Sequence, residues 1–343
     1  MPGNGRGGDT KVVTLSDVAA LAGVSVATAS KALNDRSHVA ARTKARVQAA
    51  AEQLSFVPNR MAQGLLAGRT GTVGLLTGDL QGRFVIPILM GAEDAFGAGR
   101  VSVFLCDARD DAIREQHQLH ALLSRRVDGL IVVGSRTDPR PTLGHDIPVP
   151  VVYVYAPSDD PADLSLVPDN VAAGRLAVEH LIGCGRRRIA HVSGDEGYAA
   201  ARDRADGVRE SLDAADLDLV GDVMYSEWSE RWGRDATAFL LERHTEIDAI
   251  VCGSDQIARG ALDAVRDRGR TVPDDVAVIG FDNWEPMVEH SRPELTSIDP
   301  NLQLLGRMAA QRVFAALDGE AMGAGVQSQA PRLVIRGSTV PRS

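Results

Sequence analysis

The sequence predicts an α/β protein with a small all-α helix-turn-helix domain, followed by a larger two-lobe domain of parallel sheets flanked by helices. Three observations predict this architecture. Three short apolar stripes at helical spacing lie near the amino terminus. From residue 73 onward, short β-branched runs alternate with longer helical stretches, which is typical of parallel sheets with right-handed crossovers. A weak internal repeat in that region indicates two similar lobes.

The first two stripes predict two helices joined by a tight turn. The first stripe, at i, i+3, i+4 and i+7, consists of Leu15, Val18, Ala19 and Ala22. The second stripe consists of Ala29, Ala32 and Leu33, and only residues 23–25 separate the two helices, so Gly23 must allow a sharp bend. Thr14 and Asp17 predict a capping box for the first helix. Ser25 predicts an N-cap for the second helix, which runs to Leu33.

A third helix completes the predicted core. Its stripe consists of Val47, Ala50, Ala51 and Leu54. We expect the helix to begin near Arg42 without a side-chain cap, because Ala40 and Ala41 precede it.

The charge of the chain is unevenly distributed. Residues 1–70 contain nine Lys and Arg but four Asp and Glu, a net charge of +5, whereas the whole chain carries −9. Residues 71–343 therefore carry −14. A basic head on an acidic body favours phosphate binding in one place and hence a nucleic-acid role. The alternative is a helical bundle that only packs on the larger domain.

Two runs resemble the LacI/GalR family of bacterial repressors. They are T-L-S-D-V-A-A-L-A-G-V-S-V-A-T-A-S-K-A-L-N, from Thr14, and V-P-N-R-M-A-Q-G-L-L-A-G-R-T, from Val57. The resemblance continues through the rest of the chain. It implies a helix-turn-helix domain at 14–57, a hinge helix at 58–68, a linker at 69–72 and an effector-binding and dimerisation domain at 73–343. The Gly-rich tail, 1–13, should be disordered.

The resemblance also implies which residues contact DNA. On the second helix, Val26, Ala27 and Lys31 occupy the family's base-reading positions in the major groove. Lys31 can donate to guanine O6 and N7, and the two apolar groups can contact a thymine methyl. Contacts to phosphate or positioning contacts are expected from Ser25, Thr28, Ser30, Asn34, His38 and Asn59. For each residue, the alternative is an ordinary surface position.

The segment after Pro58 is expected to be a hinge helix. Residues 59–67 have helical composition, but a helix this short is not stable alone in water. By resemblance, it orders on operator DNA, where Ala62 and Leu65 lie in the minor groove and Leu65 wedges into the central base step. The alternative is that Leu65 is a linker residue that packs on the larger domain.

The larger domain contains eight strand candidates: Val73–Leu76, Val101–Cys106, Gly129–Val133, Val149–Val154, Arg188–Val192, Ala249–Cys252, Val276–Ile279 and Leu333–Ile335. Helical patterns between them include Ile86–Ala98, Ile113–Arg125, Val171–Gly183 and Ile257–Arg268. The run V-D-G-L-I-V-V-G-S at 127–135 echoes I-D-A-I-V-C-G-S at 247–254.

These patterns resemble the type I periplasmic-binding-protein fold, in which the chain crosses between lobes three times. We expect an N-lobe at about 73–169 and 300–328. The C-lobe is expected at about 170–299 and 329–343.

Ligands of doubly wound sheets bind outside the carboxyl ends of strands, so polar residues that follow strands are candidates for an inter-lobe site. The candidates from position are Asp79, Phe84, Tyr155, Trp228, Asp255 and Asp282. The resemblance adds Arg204 and implies that Arg204 and Asp282 hold effector hydroxyls while Trp228 stacks on the ligand. Alternatively, Asp282 caps the next segment, Arg204 pairs on its own helix, and Trp228 is a core residue.

Several classes of protein find little support. No apolar run is long enough to span a bilayer, and residues 1–8 lack the apolar core of a signal peptide, so we expect a cytoplasmic protein. The three cysteines are far apart and should be reduced thiols. No catalytic motif is present, and His117 and His120 lack a nearby third metal ligand, so no enzyme activity, cofactor or metal is expected.

The sequence therefore predicts a homodimeric transcription regulator, most simply a repressor, that binds a near-palindromic operator under the control of a small effector, by resemblance a sugar. The first alternative is a two-lobe solute-binding protein without a DNA role. The second is an α/β enzyme acting on sugars or nucleotides.

Overall fold

The computed structural model describes residues 13–33, 39–54, 56, 69–80, 82–95, 97 and 101–340. The chain divides into two compact units, Met1–Thr70 and Gly71–Ser343. No helix in the described ranges is long and apolar enough to cross a membrane.

The first unit is the predicted helix-turn-helix domain. Its three helices are α1 (Leu15–Ala22), α2 (Val26–Leu33) and α3 (Ala41–Gln53). The capping box of Thr14 and Asp17 is present, and Gly23 adopts the left-handed conformation, with φ 64°, that the turn requires. Ser25 caps α2, since its Oγ accepts the N–H of Thr28 at 3.2 Å. As expected, no side chain caps α3.

The apolar stripes of the three helices meet in one small core. Its fully buried members are Val18, Ala19, Ala22, Ala29, Ala32, Val47, Ala50 and Ala51. Small side chains allow the short helices to approach closely. The guanidinium of Arg46 donates to the carbonyls of Ala22 and Gly23, so α3 also holds the turn between α1 and α2.

The second unit contains two six-stranded sheets. The first sheet has the order β11-β5-β4-β3-β1-β2. Its strands are β1 (Thr72–Thr77), β2 (Ser102–Asp107), β3 (Gly129–Val133), β4 (Val151–Val154), β5 (Leu164–Pro168) and β11 (Gly325–Gln329). Its helices are α4 (Val85–Asp94), α5 (Ala112–Ser124) and α11 (Leu302–Leu317). Every strand pair in it is parallel. We refer to this part as lobe I.

The second sheet has the order β12-β10-β9-β8-β6-β7. Its strands are β6 (Ile189–Ser193), β7 (Met224–Tyr225), β8 (Ala249–Cys252), β9 (Ala277–Phe281), β10 (Thr296–Asp299) and β12 (Arg332–Val334). Its helices are α6 (Asn170–Gly183), α7 (Ala199–Asp213), α8 (Glu230–Arg243), α9 (Asp255–Asp267) and α10 (Glu285–Val288). Only β12 runs antiparallel to its neighbour. We refer to this part as lobe II.

The chain passes between the lobes three times, after β5, after β10 and after β11. This topology confirms the predicted fold class. The internal repeat is visible in it, because β3 and β8 occupy matching positions. Asp128 precedes β3 and accepts the N–H groups of Gly71 and Thr72, at 2.6 and 3.2 Å. Asp248 precedes β8 and accepts those of Arg187 and Arg188. Each aspartate thus ties the start of its strand to the segment before the neighbouring strand.

Helices α6 and α7 pack backbone to backbone. A Cβ atom at Gly207 would collide with the carbonyl of Val171, and one at Gly174 would collide with the carbonyl of Arg204. The two glycines therefore allow an approach that a larger residue would prevent. This contact fixes the position of Arg204 on α7.

The structure corrects several predicted boundaries and adds elements. The helix predicted at 86–98 is α4 and ends at Asp94. The sequence did not predict strands β5, β7, β10 and β11, most of which are short or polar. The strand predicted at 149–154 begins at Val151, since residues 147–150 form an irregular approach to the sheet.

Candidate functional site

Helix α2 presents one exposed face of the first unit. Val26 is 47% exposed, and Ala27 and Lys31 are also exposed. Ala29 and Ala32 hold the opposite face in the core. The three expected base-reading residues thus share an accessible face, as the proposed role requires.

The expected phosphate contacts have mixed environments. Ser25 is exposed, but its hydroxyl lies 2.9 Å from Thr28 Oγ1 and caps α2, so it has a structural role in the free protein. Thr28 and Ser30 are half-buried. Five further candidates lie outside the described residues and stay predictions: Asn34, His38, Asn59, Ala62 and Leu65.

A cavity of about 220 Å³ lies between the lobes of the second unit, at the carboxyl ends of the strands. Both lobes line it. Six of the seven predicted effector residues line this cavity: Asp79, Phe84, Tyr155, Arg204, Trp228 and Asp282. The carboxyl-end rule therefore brings residues from distant parts of the chain to one place.

Arg204 and Asp282 form the polar floor of the cavity in lobe II. Arg204 is buried and donates to Asn170 Oδ1 at 2.9 Å, to the carbonyl of Gly253 and to Asp282 Oδ1 at 3.4 Å. Its guanidinium also lies over the Phe281 ring, 4.7 Å from the centroid. Asp282 follows β9 with φ 100°, a conformation that non-glycine residues rarely adopt. The pair is buried, and Arg204 has two further hydrogen-bond partners that fix its position.

Arg83 reaches across the cavity from lobe I. Its guanidinium donates to Asp282 Oδ2 and, at 3.0 Å, to Gln256 Oε1, both in lobe II. Asp282 therefore accepts from two arginines, one on each carboxylate oxygen. Arg83 also lies over the rings of Phe84 and Trp284. This residue links the two lobes directly through the cavity.

Two aromatic groups wall the cavity. Phe84 and Tyr155 stack with centroids 4.8 Å apart on the lobe I side. Burial raises the pKa of Tyr155, and the negative charge of Asp282 raises it further. The hydroxyl therefore remains neutral and available as a hydrogen-bond donor at physiological pH.

On the lobe II side, Trp228 lies against the backbone of Gly194, where a Cβ atom would overlap the indole. Tyr198 meets Trp228 edge to face at 5.7 Å, and Arg136 of lobe I lies 4.3 Å from the Tyr198 centroid. Flat aromatic surfaces beside a carboxylate and guanidinium groups suit a sugar ring, which has apolar faces and a hydroxyl rim.

Asp255 is the one predicted effector residue that does not line the cavity. It is fully buried behind the cavity wall, where its carboxylate accepts the N–H of Trp284 at 2.7 Å and the hydroxyl of Ser297 at 2.6 Å. Burial, and then the charge of Asp282, raises the pKa of Asp255 well above its ordinary value. These two hydrogen bonds hold the loop after β9, and a contact between Asp255 and the effector stays a prediction.

The structure also adds lining residues that the sequence did not single out: Arg83, Ser135, Arg136, Thr137, Tyr198 and Ala200. Residues 135–137 follow β3, so the carboxyl-end rule applies to them as well. Arg83 and Tyr198 have no comparable signal, because they reach the cavity only through the arrangement of the lobes. No group of three or more potential metal ligands occurs among the described residues.

An exposed helix on a basic three-helix unit and a polar cavity between two lobes are the features of a DNA-binding regulator that responds to a small molecule. Comparisons with known proteins give the particular family. Residues 14–59 match the bacterial regulatory proteins of the lacI family, and residues 178–339 match a periplasmic binding protein-like domain.

The HTH-type transcriptional regulator CelR of Thermobifida fusca is 34% identical, over 90% of this chain and 92% of that protein. The ribose operon repressor of Escherichia coli K12 is 32% identical, over 87% and 91%. A crystal structure of the lac repressor dimer bound to operator and the anti-inducer ONPF superposes with a TM-score of 0.70, at 29% identity over 96% of this chain and 100% of that chain. A CelR–cellobiose complex superposes with a TM-score of 0.62, at 30% identity over 95% and 99%. The chain belongs to the lacI family of bacterial regulatory proteins and is a DNA-binding transcription regulator.

Proposed function

We propose that the protein is a repressor whose affinity for operator DNA is controlled by a sugar-like effector bound between lobes I and II. The observation that carries this proposal is the cavity itself. It joins the Arg204–Asp282 pair of one lobe to the aromatic wall of the other, so a ligand there contacts both lobes. Because such a ligand prefers one arrangement of the lobes, it shifts the equilibrium between arrangements.

The molecules bound in related structures support operator DNA and a sugar as partners of this protein. One related structure contains operator DNA and another contains cellobiose. In this chain, the DNA-contacting residues are Val26, Ala27 and Lys31, which lie on the exposed face of α2. Arg204, Asp282 and Trp228 are the principal effector contacts.

We also propose that the protein acts as a homodimer, with one recognition helix for each half of a near-palindromic operator. Large apolar side chains are exposed on neighbouring elements of lobe I: Ile86 and Met90 on α4, Phe104 on the edge strand β2, and Ile113 on α5. Covering this surface with a second copy would remove it from water.

A gel-shift assay with DNA from upstream of the protein's own gene tests the DNA role. Specific binding should weaken by at least tenfold between about 50 and 200 mM salt, since each phosphate contact releases counterions. Lys31→Ala should lower the preference for operator over unrelated DNA while leaving non-specific binding largely intact. Absence of salt-sensitive DNA binding would favour the solute-binding alternative.

A thermal-shift screen of sugars and nucleobases tests the effector role. A ligand of the cavity should raise the unfolding temperature of the unaltered chain and not that of Arg204→Ala. A compound that stabilises both proteins equally binds elsewhere and does not qualify as the effector. A screen in which no sugar acts would contradict the proposed ligand class.

A further inference from the structure

The cavity between the lobes has more positive than negative charge. Its charged lining consists of three arginines, Arg83, Arg136 and Arg204, and two aspartates, Asp79 and Asp282. The carboxylate of Asp79 already accepts the N–H of Gly82 at 2.7 Å. Asp282 forms ion pairs with two guanidinium groups, one from each lobe.

This shared carboxylate creates a conflict for a neutral ligand. Arg83 and Arg204 occupy both oxygens of Asp282, and the side chain of Asp282 is only 3% exposed. Each oxygen could still accept another hydrogen bond, but because so little of Asp282 is exposed, a sugar hydroxyl reaches it only if a guanidinium moves aside. If Arg83 moves, its side chain, which is only 21% exposed, loses its carboxylate partner. Burial of an unpaired charge is strongly unfavourable. A ligand that carries its own anionic group avoids this cost, because it replaces Asp282 as the partner of Arg83.

Unused hydrogen-bond donors point in the same direction. Among the described residues that line the cavity, Arg83 Nε and Trp228 Nε1 are buried and have no hydrogen-bond partner. Both atoms can only donate, so an acceptor on a ligand would satisfy them if the side chains adjust to expose them to the cavity. Thr137 Oγ1 is a third buried lining atom without a partner. Carboxylate and phosphate groups are acceptors that bind guanidinium most strongly.

Arg136 supplies a further positive charge beside the cavity. It is exposed and stacks on Tyr198, and no carboxylate in the described ranges pairs with it. It is therefore available to an incoming anion without loss of an existing contact. Its stacking on an aromatic ring leaves the edge of the guanidinium, which carries the N–H donors, accessible to a ligand.

We propose that the effector is an anionic sugar, bearing a carboxylate or a phosphate, and that Arg83 and Arg136 select its charged group. The inference rests on the proposed function, since it concerns the ligand of the same cavity. Asp282 and Arg204 then bind the hydroxyls, Phe84 and Trp228 contact the faces of the ring, and the anionic group completes the pairing of Arg83 between the lobes.

Matched pairs of sugars test this proposal directly. Isothermal titration of the full chain at constant ionic strength should compare glucuronate and glucose 6-phosphate with glucose, and cellobionate with cellobiose. We expect an anionic member of at least one pair to bind at least tenfold more tightly than its neutral counterpart. Comparison of glucuronate with glucose 6-phosphate shows whether the site prefers a carboxylate or a phosphate. Rising salt should weaken the anionic ligand more than the neutral one.

Substitutions show which residues cause the preference for anionic over neutral sugars. Arg83→Gln and Arg136→Gln should each reduce the difference between anionic and neutral sugar at least threefold, while Arg231→Gln, at a residue that is 89% exposed on α8, should leave it unchanged. Among the described residues, the guanidinium of Arg136 has the Tyr198 ring as its partner and no ion pair, so Arg136→Gln tests the idea even if Arg83→Gln is unstable. Tighter or equal binding of the neutral sugars, binding by neither member of any pair, or a preference that survives both substitutions would overturn the proposal. Salt-sensitive operator binding in the same preparation shows separately that the proposed function still stands.

Discussion

Gly194 should be essential for the shape of the effector cavity. It directly follows β6, and the indole of Trp228 lies against its backbone. A Cβ atom at this position would lie about 1 Å or more inside the ordinary contact distance, about 3.5 Å, to three indole carbons. The backbone of Gly194 does not have a positive φ, so alanine is not excluded by strain. The indole must therefore move.

The expected consequence of Gly194→Ala is a loss of ligand binding with a moderate loss of stability. Overpacking of this kind costs about 1–3 kcal/mol. Displacement of Trp228 removes an aromatic wall of the cavity, and we expect the affinity for the effector found in the screen to fall at least tenfold, or about 1.4 kcal/mol. Titration followed by tryptophan fluorescence measures the affinity, and thermal unfolding measures the stability. DNA binding without effector should be unchanged.

Gly183→Ala is a matched control. Gly183 ends α6, and an added Cβ would meet no atom within 4 Å. This substitution should be neutral or stabilise the chain by about 0.5–1 kcal/mol, because alanine favours helix. If Gly194→Ala bound effector as tightly as Gly183→Ala, the assignment of Trp228 to the ligand site would be refuted.

Three further substitutions give separate tests. Asp282→Asn removes the charge that two guanidinium groups share and should lower the free energy of unfolding by about 3 kcal/mol. It should abolish the effector response but not DNA binding, and a normal response would exclude Asp282 from the site. Burial lowers the pKa of His191 to about 3, so only the unfolded chain takes up its proton as the pH falls below about 6.5, and stability should drop by about 2 kcal/mol between pH 7.5 and 5. In urea unfolding, His191→Gln should abolish this pH-dependent loss of stability, whereas the control His117→Gln, at an exposed position, should retain it. Equal pH dependence of the two variants would refute the role of His191. Leu65→Ala should weaken operator binding more than Leu66→Ala does, and equal effects would contradict a wedge at Leu65.

Elements with a strong local signal were predictable from the sequence. Strands β3 and β8 are continuous apolar runs buried along their whole length, and both were predicted with the observed bounds. Strands β10 and β11 were not predicted, because their sequences, T-S-I-D and G-V-Q-S-Q, mix polar and apolar residues. Their structure depends on pairing with neighbours that are distant in sequence.

The composition of the cavity was predictable where position after a strand decides it. Tyr155 and Asp282 directly follow β4 and β9 and line the cavity as expected. Asp255 lies at the start of α9, and its side chain turns away to bond Ser297 and the backbone of Trp284, a choice that no local pattern reveals. The role of Arg83 depends on the approach of the two lobes, so it could not be predicted from residues near it in sequence.

Thermodynamic coupling between operator and effector tests the regulator account most directly. Operator affinity measured with and without saturating effector gives one ratio, and effector affinity measured with and without operator gives another. If one chain links the two sites, both ratios must be equal, and we expect a factor of about 5–150 in the unaltered chain. A ligand that binds the cavity while both affinities stay independent of each other would contradict the account.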